Sequence, residues 1–138
     1  MQINGIPESS NGTEVLSFSW GASNPVSFSG GGMGAGKVSI SSFNIMKHQD
    51  ATTLKLIAGV ATGKHYTEAV FTIFDEKGVP SFRFILQDVI IESVQHSGSS
   101  CGNGKCNNFT ESVSIAAAKW KWEDVKTGQS YQYATSTL

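Results

Sequence analysis

Residues 15–21 read Val15-Leu-Ser-Phe-Ser-Trp-Gly21, and this stretch decides the class of fold. Leu16, Phe18 and Trp20 alternate with serines, which is the period of two that a strand with one buried face shows. The chain then enters Ala22–Gly36, a segment rich in glycine and serine whose backbone freedom makes it costly to bury. We therefore expect a β-scaffold that presents a loop to a partner, rather than an enzyme built around a pocket.

The same alternation of strand and turn continues along the chain. After Ala22–Gly36 it resumes at Val38 and then slips by one residue near Ser41, which predicts a bulge or a bend. Further strands are predicted over Tyr66–Phe74, Phe82–Val94 and Thr110–Trp122, and around Tyr131–Tyr133.

The run Thr110–Trp122 changes its apolar phase midway. Val113 and Ile115 occupy odd positions, whereas Trp120 and Trp122 occupy even ones. A strand that changes face in this way can wrap from one sheet onto another and close a barrel.

One helix is predicted between the strands. Asp50 can cap its start and Gly63 supplies a left-handed exit. Leu54, Ile57, Ala58 and Ala61 share one face of it. The expected fold class is mainly β: a two-sheet antiparallel β-barrel with one lateral α-helix, forming a single domain over residues 1–138.

Composition excludes several classes of partner. Charged residues make up 15% of the 138 residues and the net charge is −1, so there is no basic stripe of the kind that nucleic acid binding requires. We find neither a long apolar run nor the features of a secretory signal peptide. We expect a soluble protein without membrane insertion, and a sparsely charged surface that favours packing between copies.

The motifs that could carry chemistry are weak. Gly31–Lys37 approaches a phosphate-binding loop, but Val38 stands where that motif needs a hydroxyl and a strand follows where it needs a helix. His48, His65 and His96 lie in separate segments, and no serine or cysteine has the sequence context of a nucleophile. The sequence therefore predicts no catalytic residue, no cofactor and no metal site.

Cys101 and Cys106 are the only cysteines, and they flank four residues that can form a hairpin tip. A disulfide is geometrically plausible there if the two Cα atoms lie within about 7 Å. At this point a disulfide that forms only under oxidising conditions and two free thiols remain equally open.

Six blocks, taken in order, closely resemble the haemolysin-coregulated protein (Hcp) family. They are Glu14-Val-Leu-Ser-Phe-Ser-Trp-Gly21, Gly36-Lys-Val-Ser-Ile-Ser-Ser-Phe43, Ala61-Thr-Gly-Lys-His65, Asp88-Val89, Ser97-Gly-Ser-Ser100 and Glu111-Ser-Val-Ser114. No single block is decisive, but the ordered set is specific and extends from about Ile3 to Trp122.

The resemblance implies a structural subunit of the inner tube of the type VI secretion system. Such a subunit forms homohexameric rings that stack, works with sheath, spike and effector proteins, is not an enzyme, and passes from the cytoplasm to the exterior or a target cell without a signal peptide. Gly21, Ser23, Asn24, Phe28, Gly31, Met33 and Gly36 match the loop that reaches toward the next ring. Thr52, Thr53, Lys55 and Leu56 match a helix that faces the ring lumen.

Two other functions compete with this interpretation. The first is a β-barrel binding or adaptor module that does not polymerise, which its mass in solution would reveal. The second is an enzyme such as a hydrolase, which the lack of a nucleophile and base in the sequence disfavours.

Overall fold

An antiparallel sheet of seven strands carries the fold. The computed structural model describes residues 1–29, 32–102 and 108–135, and for residues 27–29 and 32–35 it describes the backbone alone. The strands are β1 (Gln2–Ile3), β2 (Ser17–Ser19), β3 (Ala22–Ser23), β4 (Val26–Ser29), β5 (Gly32–Ala35), β6 (Ser39–Ile40), β7 (Phe43–His48), β8 (His65–Phe74), β9 (Pro80–Ser97), β10 (Thr110–Asp124) and β11 (Ser130–Ala134). A short 3-10 helix spans Pro7–Ser9, and helix α1 spans Thr53–Thr62.

The large sheet has the order β1-β8-β9-β10-β7-β2. Strand β10 pairs with β9 along one edge, while its other edge pairs first with β7 and then with β11. Strands β3 and β6 form a separate pair, as do β4 and β5. The predicted mainly β, antiparallel architecture with one α-helix is confirmed for the described residues. The predicted closed barrel is not, because the edge strands β1 and β2 do not pair with each other.

Three neighbouring strands change their buried face at one row of the sheet. On each strand two inward-pointing residues are separated by two outward positions. These pairs are Tyr66 and Ala69 in β8, Leu86 and Val89 in β9, and Ala117 and Trp120 in β10. The registers on either side place Thr67, Asp88 and Ala118 opposite one another in this row. We call this row the switch row.

The backbone of Asp88 marks the switch row. Asp88 has a φ of 52° and is the one described residue other than glycine in the left-handed region. This conformation rotates the backbone, so that the side chain of Val89 points to the buried face, where regular alternation would point it to the opposite face. Aspartate tolerates this conformation better than most residues do. The face change predicted within Thr110–Trp122 is thereby confirmed, and it extends to β8 and β9.

The buried side chains on the two sides of the switch row belong to one core cluster. At one end an aromatic cluster brings together Trp20, Phe43, Phe71, Phe84 and Trp120, with ring centroids 4.2 Å apart for Phe43 and Phe71. At the other end Ile91 lies beneath helix α1, and Val113 and Ile115 are buried on β10.

A row of charged side chains ends the core on the helix side. Lys47, Glu111 and His96 lie opposite one another on β7, β10 and β9, and the side chains of Lys47 and Glu111 are fully buried. Glu111 Oε2 lies 2.5 Å from Lys47 Nζ, and Glu111 Oε1 lies 3.0 Å from His96 Nε2. Lys47 Nζ also donates to Asp50 Oδ1 at 2.9 Å, so the row connects the sheet to the start of α1.

Asp50 holds the start of α1 from just outside the helix. Its Oδ1 accepts hydrogen bonds from the backbone N–H and the hydroxyl of Thr52, at 2.8 and 2.6 Å. Burial raises the pKa of Asp50, but these bonds and the neighbouring Lys47 outweigh it and leave the pKa below its usual value. At the other end Gly63 has a φ of 64° and closes the helix as predicted.

The face that α1 buries differs from the predicted apolar face. Thr53, Leu56 and Gly59 are buried, whereas Leu54, Ile57, Ala58 and Ala61 are exposed. Gly59 permits the close approach, because a Cβ there would collide with the hydroxyl of Tyr66 and press against Ile91. Small side chains at 53 and 59 thus decide which face packs.

Within residues 1–29, 32–102 and 108–135, no helix has the length and hydropathy needed to cross a bilayer.

We predict that Asp88→Val lowers the free energy of unfolding by about 1–2 kcal/mol, because a β-branched residue is strained at positive φ. Asp88→Asn, which tolerates that conformation, and Gln87→Val, on the same strand, are the matched controls and should stay within about 0.5 kcal/mol of the parent. Urea unfolding measures all three variants. Equal losses for Asp88→Val and Gln87→Val would mean that the backbone at residue 88 does not direct the switch row.

We also predict that Glu111→Leu costs about 3–5 kcal/mol, because it leaves the buried Lys47 ammonium without its main partner. Replacing Lys47 and Glu111 together by leucine should cost clearly less than the single change. Glu123→Leu is the control, since its pair with Arg83 is partly exposed and such pairs contribute about 1 kcal/mol or less. A loss for Glu111→Leu no larger than the control's would contradict the argument.

Candidate interaction surfaces

The segment after β2 leaves the sheet as an arm of paired strands. Strands β3 and β6 pair at its base, and β4 and β5 continue it as an antiparallel hairpin with Val26 opposite Ala35. We call β4 and β5 the arm hairpin. The prediction of a loop over Ala22–Gly36 is therefore wrong for the described backbone, since most of that segment is paired. Val26-Ser-Phe-Ser29 alternates as a strand does, a signal that the surrounding glycines concealed.

The base of the arm hairpin is held by a close backbone contact. The N–H of Gly36 donates to the carbonyl oxygen of Pro25 at 2.7 Å. A Cβ at Gly36 would lie 2.8 Å from that same oxygen and from the proline ring, so a side chain there would force the strands apart. At the root of the arm Gly21 receives a hydrogen bond on its carbonyl from Ser41 N–H and donates its own N–H to Ser41 Oγ.

The residues assigned to ring stacking lie along this arm. Gly21, Ser23, Asn24 and Gly36 are exposed. Phe28 and Met33 are opposite each other in the hairpin register, and Gly31 lies outside the described residues. The described backbone of β4 and β5 makes no extended contact with the sheet or the helix, whereas Ile40 at the base of the arm packs against the core. Its stacking role stays a prediction.

The helix residues assigned to the lumen need a correction. Thr52, Thr53 and Leu56 are buried in the chain's own interior, because they form the face that packs on the sheet, and so they cannot line a lumen. Lys55 is exposed and remains compatible with that role. The helix presents a different surface to solvent, in which Leu54 is 77% exposed. The apolar spacing of this surface in the sequence predicts that it packs on the sheet, but the structure exposes it to solvent.

The loop between β9 and β10 contains the cysteines. Cys101 is bonded in a disulfide rather than a free thiol, and Cys106 lies outside the described residues. Their pairing with each other therefore stays a prediction. At the base of the loop the ring of His96 lies 5.1 Å from that of Phe109, beside the charged row.

The three histidines remain apart in the structure. His96 contacts Glu111, the Nδ1 of His48 lies 3.4 Å from the carbonyl oxygen of Phe109, and His65 is exposed in β8. Among the described residues, no three His, Cys, Asp or Glu side chains converge as metal ligands would.

A family model described as "Type VI secretion system effector, Hcp" matches residues 6–123. No curated protein matches the chain by sequence.

Solved structures share the fold. Hcp1 from Salmonella typhimurium is 24% identical, with a TM-score of 0.76 over 97% of this chain and 91% of that one. A type VI secretion system effector from Yersinia pestis is 22% identical, with a TM-score of 0.73 over 96% of both chains. A mutant of Hcp1 from E. coli EAEC 042 is 20% identical, with a TM-score of 0.74 over 88% of this chain and 80% of that one. At these identities the likeness concerns the fold alone.

We predict that Leu54→Lys changes the free energy of unfolding by less than about 0.5 kcal/mol, since its side chain is already in water. Leu56→Ala, two residues along the same helix, should cost about 2–5 kcal/mol because its side chain is fully buried. Chemical denaturation of both variants compares the two faces. A large loss of unfolding free energy for Leu54→Lys in a dilute monomer would mean that the helix face with Leu54 packs on the sheet, as the sequence pattern predicts.

Proposed function

The chain belongs to the Hcp family of type VI secretion system proteins, and from this premise we propose that it is a ring-forming subunit of the secretion tube. The resemblance carried by the six sequence blocks is thereby confirmed at the level of the family. The family match over residues 6–123 is the observation that carries the proposal. We propose further that copies of the chain form a closed hexameric ring and that these rings stack into a tube.

The arm supports the stacking role. The described backbone of the hairpin makes no extended contact with another element of its chain. A hairpin of this kind gains little stability by itself, and a second copy can supply further contacts. Its sequence from Ala22 to Gly36 contains no charged residue, so identical arms do not repel one another as copies come together. An uncharged, strand-forming extension suits contact between copies.

The exposed helix face supports association in the same way. Leu54 and Ile57 are exposed at 77% and 39%, next to the exposed Ala58 and Ala61. Covering apolar surface of this kind contributes about 25 cal/mol per Å², and such patches on a folded chain mark contact surfaces more often than chance. In the assembled tube we propose that a neighbouring chain completes the barrel that the sheet of each copy leaves open.

The route and the partners follow from the proposed tube. The subunit would assemble in the cytoplasm, leave the cell with the tube that the contracting sheath drives outward, and meet spike and effector proteins there. Hcp is not an enzyme family, and we propose no reaction for this chain. An adaptor that does not polymerise is the alternative, and it would use the same sheet as a monomer.

Gel filtration coupled to light scattering tests the proposal. We predict a mass close to six times the 14.7 kDa of one chain at tens of micromolar, because closed rings are the expected result of one head-to-tail contact whose rotation closes. Low and moderate salt should give the same mass, since the surface is sparsely charged. A single chain at every concentration and salt would favour the adaptor and contradict the ring.

A further inference from the structure

A groove of about 680 Å³ runs between the two edges of the large sheet. One wall is β2 with the segment that precedes it, and the other is the second half of β8. Its lining includes Leu16, Phe18, Phe43, Phe71, Ile73 and Phe74. We call it the seam groove, because it occupies the gap that leaves the barrel open.

The seam groove is apolar and accessible. Phe43 and Phe71 form its buried floor. At its rim Leu16, Phe18 and Phe74 are 45%, 42% and 59% exposed. Three large apolar side chains at the mouth of one groove form a surface that gains free energy when a partner covers it.

The walls of the seam groove also offer unpaired strand edges. Strand β1 pairs with β8 only at Ala69 and Val70, so within the described part of the chain no strand pairs with the outer edge of β8 from Phe71 to Phe74. Strand β2 pairs with β7 on one side only. An open edge beside an apolar groove can receive an additional strand, whose backbone supplies the missing hydrogen bonds.

The arm hairpin has the properties of the missing strand. Its strands β4 and β5 have four residues each, as does the free stretch of β8, and four residues of strand span about 13 Å. Residues 26–29 alternate apolar and hydroxyl side chains, and Val26 is 49% exposed in its own chain.

Charge distinguishes this occupant from others. The arm from Ala22 to Gly36 carries no charge, and the charged groups in the lining of the seam groove are the Glu14 carboxylate and the α-ammonium group of Met1. A charged peptide would lose the hydration of its charges against the apolar lining, whereas an uncharged hairpin has no such cost.

We propose that the seam groove binds the arm hairpin of a neighbouring copy of this chain. The proposal rests on the proposed function, since it assigns the docking site of the arm that joins copies in the tube. Each chain then offers one hairpin and one groove, so the contact is directional and repeats from copy to copy.

A charge at the rim of the groove tests the proposal. Phe74→Glu should raise the protein concentration needed for assembly at least about tenfold, because the hairpin would then desolvate a carboxylate. Val79→Glu is the matched control for an added charge at an exposed apolar site, because Val79 is 50% exposed and lies outside the lining of the seam groove. Sedimentation velocity measures assembly, and thermal melting of the monomer confirms that both variants fold. Assembly of Phe74→Glu at the parent's concentration would overturn the groove while leaving the ring intact.

Mixing two defective variants distinguishes the docking site from a general loss of association. Val26→Glu impairs the hairpin but keeps the groove, whereas Phe74→Glu impairs the groove but keeps the hairpin. Each variant alone should stay at the size of one ring. Their mixture should form a complex of two stacked rings, one of each variant, that grows no further. A mixture no larger than its components would show that the hairpin and the groove do not meet.

Two further outcomes separate the proposals. A parent chain that stays monomeric at every concentration would contradict the tube subunit and the docking contact together. Normal assembly of Phe74→Glu combined with loss of binding to a secreted effector would overturn the docking contact in favour of a cargo site, while the tube role would stand.

Discussion

The switch row is the constraint on which the rest of the structure depends. Strands β8, β9 and β10 continue through it in constant register, yet each exchanges its buried and exposed faces there. A strand of ordinary alternation keeps one set of side chains on one face throughout its length. Because three strands exchange faces together, buried side chains from both faces of one continuous ladder join a single core cluster.

The core has different chemistry on the two sides of the switch row. On the side of Trp120, aromatic rings fill the space between the strands, and the aromatic side chains continue out to Phe18 and the seam groove. On the side of Ile91, which lies under α1, the buried side chains are mainly aliphatic and end at the charged row of Lys47, Glu111 and His96. The charged row adds directional contacts where the apolar core stops, since Lys47 binds Asp50 and Asp50 in turn holds Thr52 at the start of the helix. The helix is thereby fixed with its apolar outer face toward solvent.

The sequence was informative wherever periodicity and backbone chemistry agreed. The phase change between Ile115 and Trp120 predicted a change of face, and Gly63 predicted the end of α1; both are confirmed. The conformation of Asp88 could not be read in advance, because aspartate occurs in many backbone conformations and its neighbours show an ordinary strand pattern. The buried pair of Lys47 and Glu111 was missed for a similar reason, since register alone places these two residues opposite each other. On α1, close packing at Gly59 outweighed the apolar spacing that starts at Leu54.

The central claim is that this fold is completed by neighbouring copies, which supply what the open seam and the protruding arm lack. Electron cryomicroscopy of the assembled chain tests it most directly. The account predicts stacked six-fold rings in which density for the arm hairpin of a copy in one ring lies in the seam groove of a copy in the next ring, against β8. Stacked rings with empty seam grooves, or particles of a single chain with the arm folded back onto its own sheet, would contradict it.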